Sequence, residues 1–400
     1  MSSLKEILSR EFYSDISKIN DFGEVPEGSE PLLINEISEN LDNNILIIAR
    51  DLKRYQQLKD GLEFFLNKDV LLYPQWDCVP YDRISPNKLI TSKRLETLSR
   101  LSNEKNKSKI ILTTIQASCQ RTLSLDEVKN KFISLKPGEV IDINNLVNFF
   151  VSNGYEKTPT VREHGEFSVR GGIIDFYSPL NKPIRLDLFG NTIDSIKSFD
   201  LITQRSLELL KEIFVYPASE IILNDKTIEN FRINFNKKFG SQKEKVKIYD
   251  SISEGISYPG MEHWLPFFYN KTGSIFDYID KPIILLDHLY DSSLDDFLET
   301  VNDHFQSRKD YDDNKLSKVE NKYFSIEPSN LYQNKEEYNK NLYSRNCIRI
   351  SPFKKPDAIN LNGKASTKYS NIKSNRNDSS SYENLKSDIL DFTKKNKKII

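Results

Sequence analysis

NILIIARDLKRYQQLKDGLEFFLNKDVLLYPQWD, residues 44–77, places an unbroken apolar run at 45–49, a stretch with helical spacing at 52–65 and a second apolar run at 70–73. The first run does not alternate polar with apolar residues. A strand written this way has both faces covered, the condition of a parallel sheet held between two layers of helices. Working outward, residues 32–41 and 92–101 carry helical spacing, and KIILTT, 109–114, supplies another run of the same kind. Leu4, Ile7, Leu8, Phe12, Ile16 and Ile19 continue the helical pattern toward the start of the chain, with Ser3 and Glu6 in the positions of a capping box. Residues 1–121 are therefore expected to form the first segment of a three-layer α/β domain.

After that the pattern changes. A short helical stretch, 143–153, precedes three runs that read as β, 166–177, 184–189 and 192–199, and Gly190-Asn191 suits a two-residue hairpin turn between the last two. A small α+β domain with antiparallel strands is expected over 122–212. Strand candidates at 213–216 and 283–286 and a helical stretch at 289–305 then restore the first pattern, so the small domain interrupts the large one and residues 213–318 complete the original sheet. Residues 319–380 read as a linker, because the chain beyond about 355 is rich in Asn, Ser and Lys and has little to bury. Residues 382–395 read as an amphipathic helix and Ile399-Ile400 as the opening of a strand. Residues 381–400 are thus expected to begin an incomplete third domain, with the whole chain the front of a longer protein.

Lys plus Arg number 57 and Asp plus Glu 58, a net charge of -1 that gives no global sign of a nucleic-acid binder. The basic stretch is 361–400, with nine Lys or Arg against four Asp or Glu, which reads either as a solvated face or as a nucleic-acid contact. Cys78, Cys119 and Cys347 form no CxxC pair, and His164, His263, His288 and His304 show no ligand spacing. These features argue against a disulfide framework or a metal centre and point to a reducing, cytoplasmic setting. No run approaches the roughly 20 apolar residues of a membrane helix, and no cofactor is expected.

A nucleotide-binding α/β domain should carry Gly-x-x-x-x-Gly-Lys-Ser/Thr before its first helix, because the amides and the lysine cradle phosphate. In GEVPEGSEP, residues 23–31, Gly23 and Gly28 have that spacing, but Ser29 stands at the lysine position and Glu30 at the hydroxyl position. A carboxylate there repels phosphate. Asp287 ends the run at 283–286 where a magnesium-binding acid belongs, but its neighbour is His288 instead of a carboxylate that orients water. The small domain offers different chemistry. Strand alternation puts Arg185, Asp187 and Phe189 on one face and Leu186 and Leu188 on the other, with Arg170 and Arg205 nearby in sequence. Two readings stand side by side: internal Arg–Asp pairing on a solvated sheet, or a protein-binding patch of the Arg and aromatic residues common in interface hot spots.

YPQWDCVPYDRISPNKLITSKRLETLSRL (73–101), HGEFSVRGGIIDFYSP (164–179), IRLDLFGNTIDSIKSFDLITQRSL (184–207) and GMEHWLPFFY (260–269) together resemble, in order, the N-terminal part of bacterial transcription-repair coupling factors. The resemblance implies a degenerate helicase-like, UvrB-like α/β domain in two chain segments, interrupted by a domain that binds UvrA. It further implies UvrA contacts at Arg170, Arg185 and Phe189, and a nucleotide site reduced to Gly23, Gly28, Ser29, Glu30, Asp287 and His288. The motor that translocates on duplex DNA and the domain that contacts RNA polymerase have no counterpart in these 400 residues. The chain is then expected to be a non-catalytic module that recruits UvrA to stalled RNA polymerase in transcription-coupled nucleotide-excision repair. The alternative is a DNA-dependent ATPase of UvrB type, which needs the loop lysine, or a DNA-binding repair protein.

Overall fold

The computed structural model describes residues 19–103, 108–129, 132–178, 180–240, 246–313, 323–363 and seven positions between 386 and 394. The helix expected over the first 19 residues, most of the Asn- and Ser-rich tract and the strand opening at Ile399-Ile400 lie outside them, while the described positions between 386 and 394 are helical.

The first segment runs β1 (Asp21–Gly23), α1 (Glu30–Asn40), β2 (Ile45–Ala49), α2 (Leu52–Phe65), β3 (Val70–Tyr73), α3 (Lys88–Asn103) and β4 (Ile110–Thr114). The small domain follows with α4 (Ile143–Ser152), β5 (Glu156–Lys157), β6 (Glu166–Arg170), β7 (Ile173–Phe176), β8 (Ile184–Phe189), β9 (Thr192–Phe199) and β10 (Ser206–Leu210). The return segment carries α5 (Asp225–Phe239), β11 (Ile283–Asp287), α6 (Tyr290–Asp313), a helix at Lys335–Tyr343, β12 (Asn346–Ile350) and β13 (Ile359–Asn360).

Seven of these strands form one parallel sheet in the order β13-β1-β12-β11-β2-β4-β3. The run at 45–49 explains the three layers. Ile45, Ile47 and Ala49 pack in one core with Leu33, Ile37 and Tyr55 of α1 and α2, whereas Leu46 and Ile48 pack in the other with Leu95 and Leu98 of α3 and Leu294 of α6. The expected adjacency of 45–49, 110–114 and 283–286 in one sheet holds, with β11 and β4 flanking β2.

Within the range 319–380 that composition reads as a linker, the described residues 323–363 are ordered parts of the large domain. β12 lies inside the sheet between β1 and β11, and β13 forms its edge beyond β1. NCIRI hides as a strand because only Ile348 and Ile350 are buried, with Cys347 half-buried against the other core and Asn346 and Arg349 at the less buried positions of a short run. The boundaries at 122 and 212 also move. Thr122–Leu123 pairs with Thr272–Gly273 of the large domain, and the candidate strand near 213 pairs, as Ile213–Val215, with Ile133–Leu135 of the small one.

The small domain is a six-stranded sheet, β10-β9-β8-β7-β6-β5, antiparallel except between β5 and β6. The single β run expected at 166–177 is a hairpin broken at Gly171-Gly172. Its inner face buries Phe167, Ile174, Phe176, Ile184, Leu186 and Ile196 under Leu146 and Phe150 of α4, which is capped by Asp142. Gly190 takes the positive φ of 62° that the first position of its two-residue turn requires. Leu188 N–H donates to the Gly172 carbonyl at 2.7 Å, and a Cβ on Gly172 would lie 2.9 Å from the Leu188 oxygen. Only glycine fits there.

The GMEHW segment packs on the WDCVPYDR loop, so these motifs are first of all structural. Gly260 N–H donates to Ser85 Oγ at 2.9 Å, Trp264 Nε1 donates to the Phe324 carbonyl at 3.0 Å, and Trp76 meets the His263 ring edge-on at 5.4 Å. Two adjacent titratable groups are buried in this joint. Burial pushes the Glu262 carboxyl up to about 7 from 4.5, with Ser85 and Glu220 as its polar neighbours. Burial pulls the His263 imidazole down to about 4 from 6.5, aided by Arg308 and opposed by Asp82. The raised carboxyl stabilises the fold fully below pH 4.5 and loses that stabilisation as pH rises through 7; the depressed imidazole stabilises it above pH 6.5 and loses that as pH falls through 4. Each effect amounts to roughly 3 kcal/mol, and in the wild type the two slopes oppose each other. Urea unfolding between pH 4 and 7 should give a nearly flat contribution from this pair, a stability that rises with pH in Glu262→Gln, and one that falls with pH in His263→Phe. Parallel profiles in all three proteins would contradict this account.

Candidate functional site

The outer face of the small sheet carries the three sequence-predicted contact residues. β7 and β8 pair so that Asp175 lies opposite Arg185, and β6 pairs so that Arg170 is one residue pair along. Asp175 is fully buried and binds both arginines: Arg170 Nη2 at 2.7 Å, and Arg185 bidentately, Nε to Oδ1 at 2.7 Å and Nη2 to Oδ2 at 2.9 Å. Arg185 Nη1 also donates to the Gln204 carbonyl at 3.0 Å, and its guanidinium carbon lies 5.1 Å from the centroid of the Phe199 ring. The hydrogen bond to Asp175 raises the Arg185 pKa and keeps the group charged.

These contacts divide the trio. The Arg185 side chain is only 13% exposed and its fork is satisfied from within, whereas Arg170 is 48% exposed with one nitrogen on Asp175 and the rest of its guanidinium at the surface. Phe189, 85% exposed, stands at the end of β8 beside the Gly190 turn. Burial opposes ionisation of Asp187, but hydrogen bonds from Lys197 at 2.7 Å and Ser195 at 2.9 Å prevail and hold its carboxyl below the ordinary value. The arrangement puts a half-exposed cation and an exposed aromatic, residue types common in interface hot spots, on a face braced by buried charge. Sequence alternation finds the face but not its centre. Sequence reading leaves Asp187 and Asp175 as alternative internal partners of Arg185, and the β7–β8 register selects Asp175.

The loop at 23–30 lies between β1 and α1, the place a phosphate loop takes, and four of its amides are already bonded. Glu24 and Val25 N–H groups donate to the Phe353 and Ser351 carbonyls, both at 3.0 Å, and Ser29 N–H to the Pro26 carbonyl at 3.0 Å. Gly28 N–H donates to the carboxylate of Glu30 at 2.6 Å. Glu30 in turn pairs with buried Arg54, and Arg50 bridges Asp287 at 2.9 Å and Glu27 at 2.8 Å. That hydrogen bond from Arg50 lowers the Glu27 pKa. His288 Nδ1 sits 3.2 Å from Asp287 Oδ1. Gly23 pairs in the sheet with Asn360. The structure thus gathers Gly23, Gly28, Ser29, Glu30, Asp287 and His288 at one end of the sheet, where the Glu30 carboxylate takes the Gly28 amide just ahead of α1 and sets a negative charge where a phosphate would sit. The closure by residues 351–353 had no sequence signal, because it is made by backbone carbonyls of a stretch read as linker.

Residues 133–221 match the family model of the UvrB interaction domain, and the structural limits of the small domain, from Ile133–Leu135 to its partner Ile213–Val215 and Ala218, fall inside that match. The chain carries a UvrB interaction domain and is similar, over a fragment of their length, to transcription-repair-coupling factors. It is 32% identical to the transcription-repair-coupling factor of Rickettsia bellii over 79% of its own length, 32% to that of Haemophilus influenzae over 80%, and 29% to that of Escherichia coli over 66%. The alignments span 28%, 27% and 23% of those relatives, so the chain matches about a quarter of a coupling factor. Among the described residues, no group of three or more His, Cys, Asp or Glu is placed to hold a metal, and no helix is long and apolar enough to cross a membrane.

The plugged loop has a testable consequence. Glu30→Ala leaves Arg54 buried without its carboxylate and should cost about 3 kcal/mol of stability. It should create no affinity for magnesium-ATP or inorganic phosphate, because the Glu24 and Val25 amides stay bonded to residues 351–353. Calorimetric titration of wild type and variant checks this; phosphate binding by the variant would show that Glu30 alone closes the loop.

Proposed function

We propose that this chain recruits UvrA through the outer face of its UvrB interaction domain, as a non-catalytic module of transcription-coupled nucleotide-excision repair. The observation that carries this reading is the unpartnered sheet face on which Arg170 and Phe189 project while Arg185 is held beneath by Asp175. Arg170 can pair a partner carboxylate through its outward N–H groups, and Phe189 can fill an apolar pocket. Arg185 positions Arg170 by sharing its carboxylate. Contacts with RNA polymerase and duplex DNA, and the ATP-driven motor, belong in this reading to parts of coupling factors outside the matched quarter. The three unpaired cysteines fit a cytoplasmic site of action. The UvrB-type ATPase reading lacks a loop lysine, for which Ser29 stands.

The three positions should behave differently when titrated with UvrA. Arg170→Ala and Phe189→Ala are expected to weaken binding by about ten- to thirtyfold, 1.4 to 2 kcal/mol, Phe189→Ala without changing the melting temperature and Arg170→Ala with a smaller stability loss than Arg185→Ala, because Asp175 keeps its bidentate partner. Arg185→Ala should lower affinity and also destabilise the small domain by about 2 kcal/mol, because it removes a bidentate partner from a buried carboxylate; Arg185→Lys cannot copy that fork and should recover little. Wild-type affinity in all three variants would remove this face from the interface.

A further inference from the structure

Exposed apolar side chains on a sheet face call for a partner, and strand register shows which of them share a face. Directly opposed residues of neighbouring antiparallel strands point to the same side. Phe189 is opposite Thr192, and Thr192 is bridged on its other side by Val140, which is 76% exposed. Arg185 is opposite Lys197, and Lys197 is opposite Leu209, which is 72% exposed. Two cross-strand rows on one face therefore end in apolar side chains contributed by segments far apart in sequence. The loop that presents Val140 is fixed by its backbone: Gly138 and Ile141 N–H groups donate to the carbonyls of Ile193 and Asn191 at 2.7 and 2.8 Å, and Ile193 N–H returns a bond to Glu139. A valine held this rigidly in solvent is part of a surface.

We infer that UvrA docks across the whole outer face, with Val140 and Leu209 as two further contact residues flanking the arginine centre. This rests on the proposed UvrA reading and extends it. The occupant fits the chemistry and the continuity of the patch: Val140 adjoins Phe189 across Thr192, Leu209 adjoins Arg185 across Lys197, and the half-exposed Arg170 lies on the same face. A complementary surface presents a carboxylate to Arg170 and apolar sockets on either side of it. Neither residue touches a core, so polar replacement tests contact without testing folding.

The experiment is titration of the full chain with UvrA, comparing wild type, Val140→Ser, Leu209→Ser, the double variant, Phe189→Ala and a control, Val151→Ser, exposed on α4. Each single serine variant should weaken binding about five- to tenfold and the double variant by roughly the product, with Val151→Ser unchanged and all melting temperatures equal. If Phe189→Ala weakens binding but the serine variants do not, the contact ends at Phe189 and the extension fails while the UvrA reading stands. If the wild type does not bind UvrA, the reading itself fails. Self-association of the wild type on a sizing column, abolished by Leu209→Ser, would assign this flank to a second copy of the chain and overturn the proposal.

Discussion

A fully buried ion pair between Arg94 of α3 and Glu220 fixes where the small domain rejoins the large one. Arg94 Nε meets Glu220 Oε1 at 2.5 Å, a second guanidinium nitrogen reaches the Pro74 carbonyl at 3.0 Å, and the group lies 4.3 Å from the Tyr73 ring centroid. Ser92 Oγ holds the Pro217 carbonyl at 2.8 Å, and Tyr269 holds the Glu220 carbonyl at 3.0 Å. Two charges out of water are a poor source of net stability, and here Arg94 Nη2 and Glu220 Oε2 have no hydrogen-bond partner. Their effect is positional. A slip that separates them strands a charge at about 3–5 kcal/mol, a large share of the 5–15 kcal/mol that usually holds a domain folded.

The same device recurs on the outer face of the small sheet. Asp175 is buried beneath two arginines, so the outermost of them is held by charge and geometry before any partner arrives, and little side-chain freedom remains to be lost on binding. The loop at 23–30 uses it in reverse: Glu30 answers Arg54 from within and takes the Gly28 amide, while residues 351–353 take those of Glu24 and Val25. One sheet end is closed by internal pairing and another face is braced by it, which separates this module physically from a nucleotide-driven relative.

Much of this was legible in the sequence, for definite reasons. Runs such as ILIIA must bury both faces, and that alone implies three layers; the Gly190-Asn191 pair marks a hairpin; and alternation along IRLDLF separates core from surface. What stayed hidden depends on partners distant in sequence. NCIRI is too short and too polar to declare itself an interior strand, although its neighbours β1 and β11 cover it. Alternation puts Arg185 on the outer face but cannot tell that its guanidinium is turned along the sheet onto Asp175, ten residues upstream on the adjacent strand. The lost lysine of the loop was plain at Ser29; that Phe353 and Ser351 carbonyls take its amides was not.

Hydrogen exchange of the full chain with and without UvrA tests the central claim most directly, because it maps the contact without altering a residue. The account predicts new protection along β8 and β9, at the Arg170 turn and in the loop around Val140, with unchanged exchange at residues 23–30 and 287–289. Protection at the loop at 23–30, with the outer face of the small sheet exchanging as in the free chain, would contradict it.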